Sequence, residues 1–298
     1  MSEIMMRTIF SRLHALLLLA AISATTAYSQ ILWKVSGNGV HDSYILGTHH
    51  IAPVAILDSI AGFDEAFAQC QVLYGEIDMA SSMQEIAAKS QQYMLAPADS
   101  TLSKVLSAEE MKIVDAATQK YMHLPASMFD RLKPAALSTQ LAVIQAASIF
   151  NGFDPAKQID AALQQKARDM GMPVMGLETA DFQLQMLFGT PVSCQAADLM
   201  KMLNDEAGYL EYTRILADVY SRQKIDAMLE LMRDPGLGMS EHELDRLIYD
   251  RNAAWVEHLK EVLPAKAAFV VVGAGHLPGE KGLLSLLRRA GYSVTPVY

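Results

Sequence analysis

Near the start of the chain, residues 44–50 read Tyr44-Ile45-Leu46-Gly47-Thr48-His49-His50, and near its end residues 269–276 read Phe269-Val270-Val271-Val272-Gly273-Ala274-Gly275-His276. In both stretches an apolar run is followed at once by Gly-x-x-His. The run predicts a buried strand, and the glycine allows the backbone to turn sharply where that strand ends. Ligands and catalytic groups gather at the carboxyl ends of strands in α/β sheets. The repeat therefore predicts one composite site that the fold closes.

A third apolar run, Val72-Leu73-Tyr74-Gly75, ends at Glu76. The segment between His50 and this run has apolar residues at helical spacing, which predicts a strand, a helix and a parallel strand. Such a crossover would bring Glu76 to the same sheet edge as His50. The alternative is a glutamate that pairs with a local arginine or caps a helix.

Two histidines and a carboxylate match the donors that a divalent metal ion prefers, with positions left open for water and substrate. We therefore expect His50, Glu76 and His276 to form a metal site in a hydrolase. Without a metal ion, the same groups could act as a histidine and glutamate base pair on water.

The rest of the chain predicts a single domain over residues 30–298. Residues 31–47 read as a hairpin, residues 172–178 as a strand that returns to the sheet, and residues 291–297 as a last strand. Residues 81–150, 195–232 and 240–262 read as mostly helical, and a further helix is expected from Asp154-Pro155 to about Met170. The prediction is an α/β fold in which a helical insertion caps the edge of the sheet.

Several stretches resemble signatures of the TraB/PrgY/GumN family, in its GumN-like bacterial branch. The match runs from about residue 31 to the C-terminus and rests on Tyr44 to Pro53, Leu73 to Asp78, Gly152-Phe153-Asp154, Gly171 to Thr179, Arg251-Asn252-x-x-Trp255 and Val271 to Leu283. This family includes the Tiki proteins, which are metal-dependent proteases.

The resemblance implies a mixed, largely parallel central sheet of the kind shared with erythromycin-esterase-like and ChaN-like proteins. It also implies a metal-supported hydrolase site at His50, Glu76 and His276. Arg251 is expected to bind a carboxylate, either of the substrate or of Glu76 or Glu178; the alternative is a surface salt bridge. Glu178 is either a second acid of the site, the N-cap of a helix or a supporting group. Position 49 departs from the family, which has an apolar residue there, and we expect His49 to point away from His50 as a structural or supporting residue.

The N-terminus and the composition indicate where the protein works. Residues 1–29 combine Arg7 and Arg12, a short apolar core and Ala27-Tyr28-Ser29, which is typical of a cleavable secretory signal. We therefore expect a periplasmic or secreted protein without a stable membrane anchor. The formal net charge of −9 argues against nucleic acid as a partner. Cys70 and Cys194 could form a disulfide after export, or Cys70 could be a buried apolar filler.

Three functions follow from these observations. The first is an exported metal-dependent hydrolase, a peptidase acting on peptide or protein, with manganese, cobalt or zinc as the ion. The second is a metal-independent, esterase-like hydrolase that uses the same histidines and glutamate. The third is a non-catalytic protein that binds metal, haem or a peptide in the same cleft.

Overall fold

The computed structural model describes residues 30–37, 39–81, 83–150, 152–154 and 157–298. The expected secretory signal, residues 1–29, lies outside the described residues. In the part of the chain that is described, no helix is both long and apolar enough to cross a membrane.

A six-stranded mixed sheet forms the centre of the protein. Its strands, in chain order from β1 to β6, are Leu32–Ser36, Ser43–Thr48, Val72–Gly75, Val174–Gly176, Ala268–Gly273 and Ser293–Pro296. Their order across the sheet is β4-β3-β5-β2-β1-β6. The pairs β4-β3, β3-β5 and β5-β2 are parallel, whereas β1 runs antiparallel to both β2 and β6. The predicted α/β fold with a mixed, largely parallel sheet is therefore confirmed.

Helices account for most of the remaining chain. In chain order, α1 to α13 are Phe63–Ala68, Met83–Met94, Leu102–Val105, Ala108–Met122, Pro134–Ala147, Ile159–Asp169, Ala180–Phe188, Val192–Asn204, Glu206–Ser221, Ile225–Met232, Glu241–Leu244, Asp250–Val262 and Leu283–Arg289. Short 3₁₀ turns cover Val54–Ser59, Ala126–Phe129 and Ala274–His276, and a π-helical segment covers Asp245–Tyr249. The helix expected to open at Asp154-Pro155 begins only at Ile159, and Pro155 is outside the described residues.

The central strands β2 and β5 are buried, and most of their side chains are apolar. Strand β2 is buried along its whole length, and β5 is buried except at its last residue, Gly273. This pattern is expected of parallel strands that are covered on both faces. The register pairs Gly47 with Val272 and Thr48 with Gly273, so the two Gly-x-x-His turns leave the sheet side by side.

The helical region has an apolar cluster of its own, apart from the core around the sheet. Its buried members include Leu102, Val114, Leu137, Leu141, Leu199 and Met202. From this region α7 reaches the carboxyl edge of the sheet, where Gln183 contacts Glu76. Cys70 is buried and Cys194 is exposed, and both are free in the described structure. The two cysteines therefore do not form the disulfide that the sequence allowed, and Cys70 is a buried apolar residue of the core.

Candidate active site

His276 is held in one orientation by Asn252. The Asn252 side-chain Nδ2 donates to the carbonyls of His276 and Lys281, at 3.1 and 3.0 Å, which turns the amide oxygen toward the imidazole. His276 Nδ1 lies 2.8 Å from that oxygen and must carry the proton. Nε2 therefore keeps its lone pair. Burial lowers the pKa of His276 to about 3, so the ring is neutral.

Arg251 lies between this histidine and two glutamates. Its Nη1 is 3.1 Å from His276 Nε2 and also donates to the carbonyl of Leu247 in the π-helical segment. Its Nη2 is 2.6 Å from Glu76 Oε2 and 2.7 Å from Glu178 Oε1. The guanidinium also stacks over Trp255, with its central carbon 4.6 Å from the ring centroid. π-Helical segments occur often at functional sites, and this one directly precedes the helix that carries Arg251.

Glu178 is fully engaged in holding Arg251. Its two oxygens accept from Arg251 Nε and Nη2, from Gln183 Nε2 and from Trp255 Nε1. These four donors use the lone pairs that a carboxylate offers. Glu178 is thus the anchor of Arg251 in this arrangement, and the cap of helix α7 is Thr179 instead.

Glu76 lies at the end of β3 with its side chain only 11% exposed. Oε1 accepts from the backbone N–H of Gly273 at 2.9 Å and is 3.9 Å from His276 Nε2. Oε2 accepts from Arg251 and from Gln183. Burial alone would raise the pKa of Glu76, but the neighbouring His276 and Arg251 outweigh burial and lower it to about 2.

His50 lies at the mouth of the site, where 59% of its side chain is exposed. Its Nδ1 is 2.8 Å from Asp160 Oδ2. A carboxylate only accepts, so Nδ1 carries the proton and Nε2 is the atom left for a ligand or a substrate. The charge of Asp160 raises the pKa of His50 above its usual range.

Glu76, His276 and His50 converge on Gly273. A Cβ built on this glycine would lie 3.4 Å from Glu76 Oε1, 3.5 Å from His276 Cδ2 and 3.9 Å from His50 Nε2. The residues predicted from the two Gly-x-x-His turns and from the acidic strand therefore come together in space, and Arg251 and Glu178 join them.

His49 belongs to a different environment. Its ring packs between Phe150 and Tyr220, with centroid distances of 5.1 and 5.4 Å. Burial lowers the pKa of His49 to about 4, and its Nδ1 has no hydrogen-bond partner among the described residues. His49 thus helps to pack the core, while the adjacent His50 faces the cleft.

The sequence reasoning missed Asp160 and Gln183. Both come from helices, α6 and α7, that start close to the sheet edge. Asp160 reads as an ordinary acidic residue in the first turn of a helix, and Gln183 as a solvated helical position. A usable signal was Gln164, which is polar and yet follows Leu163 on the apolar face of α6.

The donor atoms near Gly273 are of the kinds that a divalent metal ion prefers. They are not, however, positioned closely enough to surround an ion. Both histidines hold Nδ1 on an oxygen and present Nε2, which is the usual arrangement of metal-binding histidines. Within the described residues, however, no three His, Cys, Asp or Glu side chains are grouped so that they could hold an ion. Arg251 Nη1 is hydrogen-bonded to His276 Nε2, so ligation requires this guanidinium nitrogen to move away.

The charges of the cluster also fit a divalent cation. Asp160, Glu76 and Glu178 are three carboxylates, and the Arg251 guanidinium is hydrogen-bonded to two of them, Glu76 and Glu178. When both histidines are neutral, which for His50 requires an alkaline pH, these three carboxylates and one guanidinium sum to a charge of −2, which a divalent cation would balance. The charge of Asp160 raises the pKa of His50, and burial, together with the charge of Glu76, raises the pKa of Glu178 despite Arg251.

Comparison with known proteins gives one match. No curated protein and no solved structure matches the chain. The TraB/PrgY/gumN family matches residues 31–296, which include both Gly-x-x-His turns and the acidic strand. The chain therefore belongs to the TraB/PrgY/gumN family.

Proposed function

We propose that this protein is an exported metal-dependent hydrolase that cleaves peptide or protein substrates. His50, Glu76 and His276 would hold a divalent ion, which we expect to be manganese, cobalt or zinc. The observation that carries the proposal is the arrangement of the two histidines. Each binds an oxygen through Nδ1 and presents Nε2 beside the Glu76 carboxylate near Gly273.

When bound, a divalent ion supplies the positive charge and Lewis acidity that activate water and polarise a carbonyl. The protein contributes the orientation of the donors. Asn252 and Asp160 fix the two imidazoles, and the Gly273 amide fixes Glu76 Oε1. These partners already orient the imidazoles and Glu76 Oε1, whereas ligation still requires the Arg251 guanidinium to shift away from His276 Nε2.

Arg251 is suited to bind the substrate. Glu178 holds its Nε and Nη2, at 3.0 and 2.7 Å. Because the guanidinium is planar and rigid, Nη1 leaves His276 only when the whole group shifts, and Glu178 limits how far it can move. Nη1 can then donate to the substrate carbonyl or to a substrate carboxylate. His276 and Glu178 are buried and form the floor of the site, whereas His50 is exposed, so substrate would enter on the side of His50.

A metal-independent, esterase-like hydrolase is the second candidate. It is favoured by Arg251 Nη1, which satisfies His276 Nε2 without any ion. In that case His50 Nε2 would take a proton from water, and Asp160 would stabilise the resulting imidazolium. Arg251 would bind the negative charge that develops on the substrate.

The substrate and location follow the sequence features. A cleavable leader over residues 1–29 would carry the protein to the periplasm or outside the cell. The net charge of −9 disfavours nucleic acid and anionic membrane surfaces as partners. We propose peptide or protein as the class of substrate because the family includes the Tiki proteins, which are metal-dependent proteases.

Turnover of a broad peptide library, before and after exhaustive chelation, tests the proposal. We expect the purified protein to contain a divalent metal ion, chelation to abolish cleavage and added Mn²⁺ to restore it. Glu76→Gln should lose both metal and turnover. Glu65→Gln is the matched control, since Glu65 is an exposed residue of α1. Turnover that survives chelation would favour the esterase-like candidate, and the absence of any turnover would contradict both.

A further inference from the structure

Helix α6 carries a stripe of three polar side chains that faces the site. Asp160, Gln164 and Arg168 are spaced four residues apart, so they lie on one face of the helix. Asp160 binds Thr48 and His50, which belong to the turn after β2. Gln164 and Arg168 bind residues 77–79, which follow Glu76 after β3. One helix face therefore contacts two of the three loops that carry the candidate site, those with His50 and Glu76.

We infer that this stripe is the positioning element of the site, and that Asp160 fixes both the direction and the tautomer of His50. Only the use of His50 as a metal ligand rests on the proposed function. The positioning of its ring by Asp160 does not depend on a metal ion. Asp160 and Gln164 are positioning residues rather than catalytic ones, since each acts through a neighbour.

Asp160 is suited to hold an exposed ring still. Its Oδ1 accepts from Thr48 Oγ1 at 2.8 Å, and its Oδ2 accepts from His50 Nδ1 at the same distance. With both oxygens engaged, the carboxylate is fixed against rotation. Its side chain is only 14% exposed, and its place in the first turn of α6 favours a negative charge. An imidazole that is 59% exposed would otherwise turn freely in solvent.

Gln164 sets the other side of the site. Its Nε2 donates to the carbonyl of Ile77 at 2.8 Å, and its Oε1 accepts from the N–H of Met79 at 2.9 Å. The amide lies so close to β3 that a Cβ on Gly75 would be 2.5 Å from Nε2. Because Asp160 and Gln164 stand on one rigid helix, they fix where the loop after Glu76 lies relative to His50.

The tautomer of His50 can be read by ¹⁵N NMR at an alkaline pH, where the ring is neutral. In the unaltered protein we expect the proton on Nδ1. Asp160→Asn should keep this tautomer, because the amide oxygen can accept from Nδ1 while the amide N–H faces Thr48. The Thr48 hydroxyl then has the carbonyl of Val272, at 3.3 Å, as its acceptor. Asp160→Ala should give a mixture of tautomers.

Binding of Mn²⁺ alone, followed by electron paramagnetic resonance, gives the second readout. Asp160→Ala should weaken it by about 10- to 100-fold, as is usual when a partner of a metal-binding histidine is removed. Asp160→Asn should lose less. Gln165→Ala is the matched control, because Gln165 is an exposed residue of the same helix, and it should change neither readout.

The two readouts separate the inference from the proposed function. If the tautomers follow the expected pattern and no variant binds Mn²⁺, the inference stands and the metal proposal fails. If neutral His50 of the unaltered protein carries its proton on Nε2, or if Asp160→Ala keeps the Nδ1 proton throughout, the inference is overturned whatever the metal does. Should Asp160→Ala not fold, the spectra of the unaltered protein and of Asp160→Asn decide: a proton on Nδ1 in both supports the inference, and its loss from Nδ1 in either overturns it.

Discussion

Arg251 and Glu76 form a buried ion pair, with 2.6 Å between Nη2 and Oε2 and side-chain exposures of 6% and 11%. The same nitrogen is shared with Glu178, so one cation holds two carboxylates away from water. Buried charges are tolerated only when they are paired and hydrogen-bonded. The stability of the sheet edge and the chemistry of the site therefore depend on the same guanidinium.

Removing this guanidinium should destabilise the protein strongly. Arg251→Ala leaves Glu76 and Glu178 buried without a counter-charge, which typically costs about 3–5 kcal/mol. Urea denaturation measures the free energy of unfolding. Arg214→Ala is the control, because Arg214 pairs with Glu211 at the surface, and such pairs contribute about 0–1 kcal/mol. Equal losses in the two variants would contradict the role of Arg251.

The parts of the site that follow from strand ends could be predicted from the sequence. Parallel strands bring their carboxyl ends to one edge, so the apolar runs before His50, Glu76 and His276 were enough to bring these residues together. The crossover from β2 to β3 is parallel, as expected, but β5 lies between the two strands. This insertion explains why Glu76 contacts the Gly273 amide.

The parts supplied by helix docking could not be predicted. Asp160 lies in the first turn of α6, a position where acidic residues are common and often solvated. Only the packing of α6 on the sheet turns its side chain toward Thr48 and His50. The start of α6 was also expected too early, near Asp154, so its first turn was assigned to the wrong residues. Arg251 was expected to bind a carboxylate of the substrate or of Glu76 or Glu178, but that it binds both glutamates at once depends on how α12 packs, which the local pattern does not contain.

The stability of the protein should fall as the pH is lowered from about 6.5. The folded-state pKa of His276 is lowered from 6.5 to about 3, and that of Glu76 from 4.5 to about 2. In both pH windows the unfolded chain binds a proton that the folded protein does not, so acid favours unfolding. His276 contributes from pH 6.5 downward, and Glu76 adds to the slope below 4.5.

Urea denaturation across this pH range checks the expectation. Each group contributes at most roughly 1.4 kcal/mol per pH unit. His276→Gln should flatten the profile between pH 6.5 and 4.5 and leave a residual slope from His49, whose pKa is also lowered. An unchanged profile would mean that folding does not lower the pKa of His276.

The glycines of the two Gly-x-x-His turns should respond differently to alanine. A Cβ on Gly47 would lie 2.7 Å from Leu277 Cδ1, whereas a Cβ on Gly273 has no contact shorter than 3.4 Å. Gly47→Ala should therefore destabilise the protein by about 1–3 kcal/mol through overpacking. Gly273→Ala should fold with nearly normal stability but lose Mn²⁺ binding and turnover, because its methyl group occupies the point where His50, Glu76 and His276 converge.

Thermal unfolding and Mn²⁺ binding, measured on both variants, test this contrast. A Gly273→Ala variant that binds Mn²⁺ normally would show that the ion lies elsewhere. A Gly47→Ala variant of normal stability would show that the Leu277 side chain can move aside for the added methyl group.

His49 and His50 are neighbours in sequence, and we expect their alanine variants to fail in different ways. The His49 ring packs between Phe150 and Tyr220, so His49→Ala should lose about 0.5–3 kcal/mol of stability and keep metal binding and turnover. The His50 side chain is 59% exposed and fills no part of the core, so His50→Ala should unfold nearly as the unaltered protein does. It should nevertheless lose bound metal and turnover, because Nε2 is the atom that faces Glu76 and Gly273. Peptide cleavage, metal content and urea denaturation of the two variants side by side decide the matter. An active His50→Ala beside an inactive but folded His49→Ala would mean that the wrong histidine has been assigned to the site.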